Sequence, residues 1–165
     1  MATRKIIIIG DELLRKKSKE QKVFDENLGT LLDDMKETMK INDGMGLAAV
    51  QVGVLKRVVI IEANNMFMEL VNPVINYQEG KRYCREGCLS VVGVREWVAR
   101  PTLISVSAYD RFGNPFTIVG VDDLAMVLSH EIDHLDGIVF TDKSFKENPD
   151  AVKKVKREKK WELFF

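Results

Sequence analysis

Leu28, Leu31, Leu32, Met35 and Met39 recur at three- and four-residue intervals within DENLGTLLDDMKETMKIND, the apolar stripe of an amphipathic helix. Asp25 precedes the stripe as a candidate N-cap, and the methionines on it are read as core filling. The pattern breaks at GMGLAAVQVG, where Gly44, Gly46 and Gly53 interrupt it. Five segments rich in branched residues follow, RVVIIEA, ELVNPVI, VREWVA, TLISVSAY and FTIVGV, and each predicts a strand. DRFGN, residues 110–114, predicts a hairpin connection between the last two. A second helix is predicted from about Val121 through His134, with Asp122 or Asp123 near its start and Gly137 closing it. ENPDAVKKVKREKKWELFF predicts a third, with Asn148 as cap and Pro149 in the first turn. The expected fold is α+β: antiparallel β-sheets packed around a central helix that carries both histidines, plus an N-terminal and a C-terminal helix.

Composition narrows the class without changing that picture. A chain of 165 residues, 45% hydrophobic and 30% charged, is long enough to bury one core, and it predicts a single domain over 1–165. Twenty-five basic residues balance twenty-five acidic ones, so no global field singles out nucleic acid or membrane as the main partner. Cys84 and Cys88 are too few for a disulfide framework and suit a reducing compartment. The opening MATRKIIIIGDELLRKK has an apolar run too short for a signal peptide, and no run approaches the ~20 apolar residues of a membrane span. A cytoplasmic location is expected.

The candidate chemistry sits on the second helix. His130 and His134 are the only histidines, four positions apart in HEIDH. That spacing puts two imidazoles on one helix face, about 5–6 Å apart at Cβ, where both can bind one ion. Glu131 projects from the adjoining side, placed to act as general base on a water at that ion. The apolar LAMVL just upstream buries this helix, and two adjacent buried imidazoles are costly without a shared partner. A third ligand is needed. Downstream the candidates are Glu147, Glu158 and Glu162; upstream they are the cysteines.

In REGCLSVVG, Cys88 would complete a Cys-His-His set with one position open for water. If residues 84 to 88 are extended, the two cysteine Cα atoms lie ~13 Å apart at ~3.3 Å per residue, too far to share an ion. Cys84 then reads as a small core residue; a sharp turn there would instead allow a closed four-ligand site. In the glycine loop, a Gln51 amide could donate to a developing oxyanion, and the glycines allow close backbone approach.

Taken together, GMGLAAVQ at 44–51, EGCLS at 86–90 and HEIDH at 130–134 resemble, in order, the three motifs of the peptide deformylases. GDELLRK and VREWVARP extend the resemblance over nearly the whole chain. It implies removal of the N-formyl group from the formyl-methionine of nascent polypeptides, with release of formate. It implies Cys88, His130 and His134 as ligands of one divalent ion, typically Fe²⁺, with Zn²⁺, Ni²⁺ or Co²⁺ able to occupy the site. Glu131 would be the general base, and Gln51 with the backbone N–H of Leu89 would stabilise the oxyanion. Gly46, Met45, Gly87, Met126 and Val127 would border the substrate, with Arg95 on the peptide backbone or, equally, a surface strand arginine. Selectivity for formyl would come from a tight pocket around its small hydrogen.

Two departures fall outside the ligands: Val92 stands where many relatives have proline, and Ser129 where they have glutamine. Asp133 and Arg100 are candidates for an ion pair supporting the helix, and Glu86 for orienting the cysteine segment. The basic run 153–160 is a solvated helix face or a ribosome-facing patch. Two rival readings stand beside the resemblance: a zincin-type peptidase using Glu147 or Glu158, and a non-catalytic Cys2His2 zinc module.

Overall fold

In the computed structural model, which describes residues 2–154, the apolar stripe forms α1 (Glu26–Ile41). The Asp25 carboxylate caps it, accepting from the Leu28 N–H at 3.1 Å. Eight strands follow: β1 (Gly46–Ala48), β2 (Val58–Ala63), β3 (Met66–Glu79), β4 (Arg82–Cys88), β5 (Val91–Arg100), β6 (Leu103–Tyr109), β7 (Pro115–Val121) and β8 (Ser144–Phe145). Between β7 and β8 runs α2 (Asp123–Leu135), the histidine helix. The strands form a five-stranded sheet in the order β1-β2-β3-β6-β7 and a three-stranded sheet β4-β5-β8, antiparallel at every pairing.

The run VVII in β2 shows why the layers stack as they do. A strand buried on both faces reads as an unbroken apolar run. Val58 and Ile60 join Leu28, Leu32, Met35 and Met39 of α1 in one buried cluster. Val59 and Ile61 turn the other way, into the cluster that holds Leu124, Ala125, Leu128 and Ile132 of α2. The five-stranded sheet is therefore sandwiched by the two helices, and α2 is buried along most of its length.

Sequence and structure differ at three edges. The predicted second helix begins too early, because Val121 still belongs to β7 and pairs with Leu103. Asp122 then turns the chain at φ +51°, making no side-chain cap. The glycine loop contains a strand, β1, and the charged segment ahead of Cys88 is β4, which patterning did not isolate. The hairpin 110–114 is as predicted: the Asp110 carboxylate accepts from the N–H groups of Phe112 and Asn114 at 2.8 and 2.9 Å. Of the third helix, residues 149–154 are helical, and the Asn148 side chain accepts from the Asp150 N–H at 3.0 Å. The rest of that segment, with most of the basic run, lies outside the described residues.

Candidate active site

α2 brings His130 and His134 side by side, their ring centroids 5.0 Å apart and nearly edge to face. Cys88, at the end of β4, meets them from the three-stranded sheet, with its Sγ 3.3 Å from His134 Nε2. One ligand atom from each of the three residues lies within 4.8 Å of the other two, the sole such group of histidine, cysteine and carboxylate side chains among the described residues. A thiolate sulfur and two imidazole nitrogens suit a borderline divalent ion. Glu131 Oε2 points the same way, since it is buried and has no hydrogen-bond partner among the described residues. The donor set fits a metal ion. Cys84 is buried in β4 and takes no part, and Glu147 is exposed beyond β8. Glu158 and Glu162 lie outside the described residues.

The electrostatics of the bare pocket separate the two imidazoles. Burial pulls His130 down, but hydrogen bonds to Cys88 and Glu86 outweigh it and raise the group to about 10. His134 is driven well below its ordinary value by burial and by the His130 charge. One ring thus holds a proton that a divalent ion would replace, so binding releases a proton. Burial also pushes Glu131 up to about 7, with the His130 charge opposing it. A carboxyl poised near neutrality can both take and return a proton.

Glycine makes room for that carboxyl. A Cβ on Gly46 of β1 would sit 2.7 Å from Glu131 Cγ, so only glycine lets the strand lie against the side chain. At the far end of α2, Gly137 adopts φ +74° and packs so tightly on the Arg15 backbone that a Cβ would lie 2.7 Å from its carbonyl carbon.

Behind the Cys88, His130 and His134 group stands a buried charge network. Glu86 accepts from Arg100 Nε and Nη2 at 2.6 and 2.9 Å and contacts His130 Nδ1 at 2.7 Å. Arg100 Nη1 also donates to Asp133 at 2.6 Å, and Lys143 reaches the same carboxylate at 2.7 Å. Burial would raise Glu86, yet Arg100 and His130 hold it at about 2. A carboxylate on the back nitrogen of a ligating imidazole fixes ring orientation and leaves the other nitrogen to the ion.

In front lies a cavity of about 560 Å³. Met45, Gly46, Gln51, Gly87, Cys88, Leu89, Arg95, Met126, Val127, His130 and Glu131 all line it, so the residues singled out in the sequence share one wall system. His134 sits behind, fully buried. Gln51 is buried and oriented: its Oε1 accepts from the Ala48 N–H at 2.8 Å, and its Nε2 donates to Ser90 Oγ at 3.1 Å and approaches Cys88 Sγ at 3.5 Å.

The family model for polypeptide deformylase matches residues 3–151, all three motifs included. The chain belongs to the polypeptide deformylase family. The chain is 56% identical over 143 residues to a peptide deformylase of Acetivibrio thermocellus, covering 87% of this chain and 84% of that one. A peptide deformylase of Caldanaerobacter subterraneus subsp. tengcongensis is 49% identical over 159 residues, 94% of this chain and all of its own length. In three dimensions, the crystal structure of a peptide deformylase from Legionella pneumophila superposes with a TM-score of 0.83 at 41% identity, over 98% of each chain. Deformylase membership makes the chain an enzyme and favours neither the zincin peptidase nor the zinc module. Ser90, which anchors Gln51, lies within the EGCLS motif, but no role was assigned to it, because its contact with Gln51 spans 39 positions and appears only in the fold. Arg85, on the same cavity wall, is not among the residues singled out in the sequence.

Proposed function

We propose that this chain hydrolyses the N-formyl group of formyl-methionyl polypeptides, releasing formate and a free amine. The observation that carries the reading is the unpartnered, buried Glu131 carboxylate beside the Cys88, His130 and His134 group, at the back of the cavity. Cys88, His130 and His134 would hold one divalent ion, assigned as Fe²⁺ with Zn²⁺, Ni²⁺ or Co²⁺ as substitutes. Such an ion would supply Lewis acidity, which lowers the pKa of water and polarises a carbonyl. Glu131 takes a proton from the attacking water and returns it to the departing amine nitrogen as the carbon–nitrogen bond breaks. The Gln51 amide, held by Ala48 and Ser90, and the Leu89 N–H donate to the oxygen on which charge develops. Glu86 orients His130 through Nδ1. Met45, Gly46, Gly87, Met126 and Val127 border the methionine, and Arg95 lies along the peptide.

The setting is the cytoplasm, where both thiols stay reduced. Among the described residues no helix is long and apolar enough to cross a membrane. The basic run 153–160 is assigned to ribosome contact, to be tested by salt-sensitive co-sedimentation.

The decisive experiment measures formate release from formyl-Met-Ala-Ser by protein purified without oxygen, together with its metal content. Glu131→Gln should keep the metal and lose ~10²–10⁴-fold in rate. No formate release, or a variant within about tenfold of the parent, overturns the reading. Comparable turnover of the acetyl-Met peptide would overturn the tight formyl pocket.

A further inference from the structure

Eight arginines lie among the described residues. Arg4, Arg15, Arg57, Arg82, Arg100 and Arg111 each pair with a carboxylate at 3.0 Å or less. The remaining two, Arg85 and Arg95, form no ion pair among the described residues. Both are exposed, and both line the cavity in front of the metal group. Six paired arginines show that this fold readily supplies carboxylates to its guanidinium groups, and at the cleft it withholds them.

The two come from neighbouring strands of one wall, Arg85 from β4 and Arg95 from β5. Arg95 lies across Gly87, where a Cβ would be 3.5 Å from its Cγ and 3.6 Å from its Nε. Its guanidinium stem therefore passes one residue from Cys88. Three carboxylates share the cavity lining. Glu86 is buried and neutralised by Arg100, and Glu131 is buried in the role already given. Asp43 alone is exposed, in the turn after α1. The β4–β5 wall thus presents two uncompensated positive charges to whatever enters.

We propose that Arg85, acting with Arg95, makes this cleft select formyl-methionyl peptides that carry an acidic side chain within the three residues after methionine. The proposal rests on the deformylase reading and names its preferred substrate class. An extended peptide advances ~3.3 Å per residue, so three residues run ~10 Å out along the wall. Partly exposed ion pairs contribute little individually, and two of them convert to about three- to tenfold in kcat/KM. Because the attraction is the same before and during the chemical step, it falls on KM and leaves kcat alone. Salt weakens it, since the screening length shrinks from ~10 Å at 0.1 M to ~3 Å at 1 M.

The test compares formate release from C-terminally amidated formyl-Met tetrapeptides bearing Asp, Ser or Lys at the second, third or fourth position. Amidation removes the peptide's own terminal carboxylate, which would otherwise satisfy the same guanidinium groups. Expected is a three- to tenfold lower KM for Asp than for Ser at one of those positions at low salt, lost at about 1 M. Arg85→Glu should reverse the order of Asp and Lys, and Arg85→Gln, which keeps bulk and polarity, should level it. Equal KM values for Asp and Ser in the parent overturn the proposal, as does an unchanged order in both variants. A gain seen only with free-acid peptides assigns the wall to the terminal carboxylate and overturns it too. The Ser peptide tells the two readings apart: no formate from it defeats the deformylase reading itself, whereas formate without charge preference defeats only this inference.

Discussion

Gly46→Ala is the sharpest probe of how Glu131, the proposed general base, is held. An ideal methyl carbon at residue 46 would lie 2.7 Å from Glu131 Cγ and 2.8 Å from Cδ. Non-bonded carbons settle near ~3.5–4.0 Å, so one partner must yield by roughly 1 Å. The strand cannot easily move, because Gly46, Leu47 and Ala48 pair with Ile61, Ile60 and Val59, and Leu47 and Ala48 are fully buried. Gly46 is not among the residues with positive φ, so alanine brings no backbone strain of its own. The carboxylate is what shifts. A displacement of ~1 Å at a reacting group costs ~10²-fold, while overpacking costs ~1–3 kcal/mol of stability. The assay is kcat for formate release, with metal content and unfolding followed in parallel, on Gly46→Ala, Glu131→Gln and the double variant. Gly46→Ala should keep its metal and lose ~10² in kcat, and the double variant should be scarcely slower than Glu131→Gln, because a base already removed cannot be displaced. Full multiplication of the two losses would refute the reasoning, for glycine would then act on the substrate and not through the carboxylate. So would a single variant within about threefold of the parent.

Three further outcomes follow from the same geometry. Cys88→Ser should lose metal and activity together, whereas Cys84→Ser should retain both at a cost of at most ~1–3 kcal/mol, measured by metal analysis and denaturation; equal metal loss would point to a four-ligand site. Arg100→Met leaves the buried Glu86 carboxylate without its guanidinium partner, while Asp133 keeps Lys143, and should cost ~3–5 kcal/mol in urea unfolding; a loss below ~1 kcal/mol would show that the network is not structural. Glu86 is held at about 2 against an ordinary 4.5, so the unfolded chain binds its proton first. Its contribution to the stability of the metal-free protein is present above about pH 5 and lost as pH falls through about 2. Acid unfolding should therefore be shallower over that window in Glu86→Gln, and an unchanged slope would remove Glu86 from the account.

What was legible in the sequence divides along a physical line. α1 could be read because Asp25 caps it and its apolar face is regular, and the 110–114 turn because Asp110 supplies its own hydrogen bonds. β4 was not isolated because its inward positions are Cys84 and Glu86, and a strand that buries a carboxylate breaks the alternation that marks strands. That burial is possible only because Arg100 reaches Glu86 from β5, a contact invisible in one dimension. β1 was hidden for the opposite reason: the glycines and alanines of GMGLAA look like a turn, yet close approach to Glu131 demands glycine at position 46. At the candidate site, the motifs singled out residues that the fold brings to one cavity; the cavity itself, and the two arginines on its wall that form no ion pair among the described residues, needed the fold.

The gap of 46 positions between Cys88 and His134 has a consequence in time. During synthesis at ~5–20 residues per second, the thiol leaves the ribosome roughly 2–9 s before the last imidazole. Through that interval it has no partner to share an ion with, and the strand that carries it has no α2 to pack against. Capture of an ion by all three side chains would therefore wait until α2 has been made and has packed. The ion would then be chosen by a finished pocket and not by a lone thiol. Until then that thiol stands open to oxidation, which makes the interval between emergence and closure the vulnerable period in the life of the molecule.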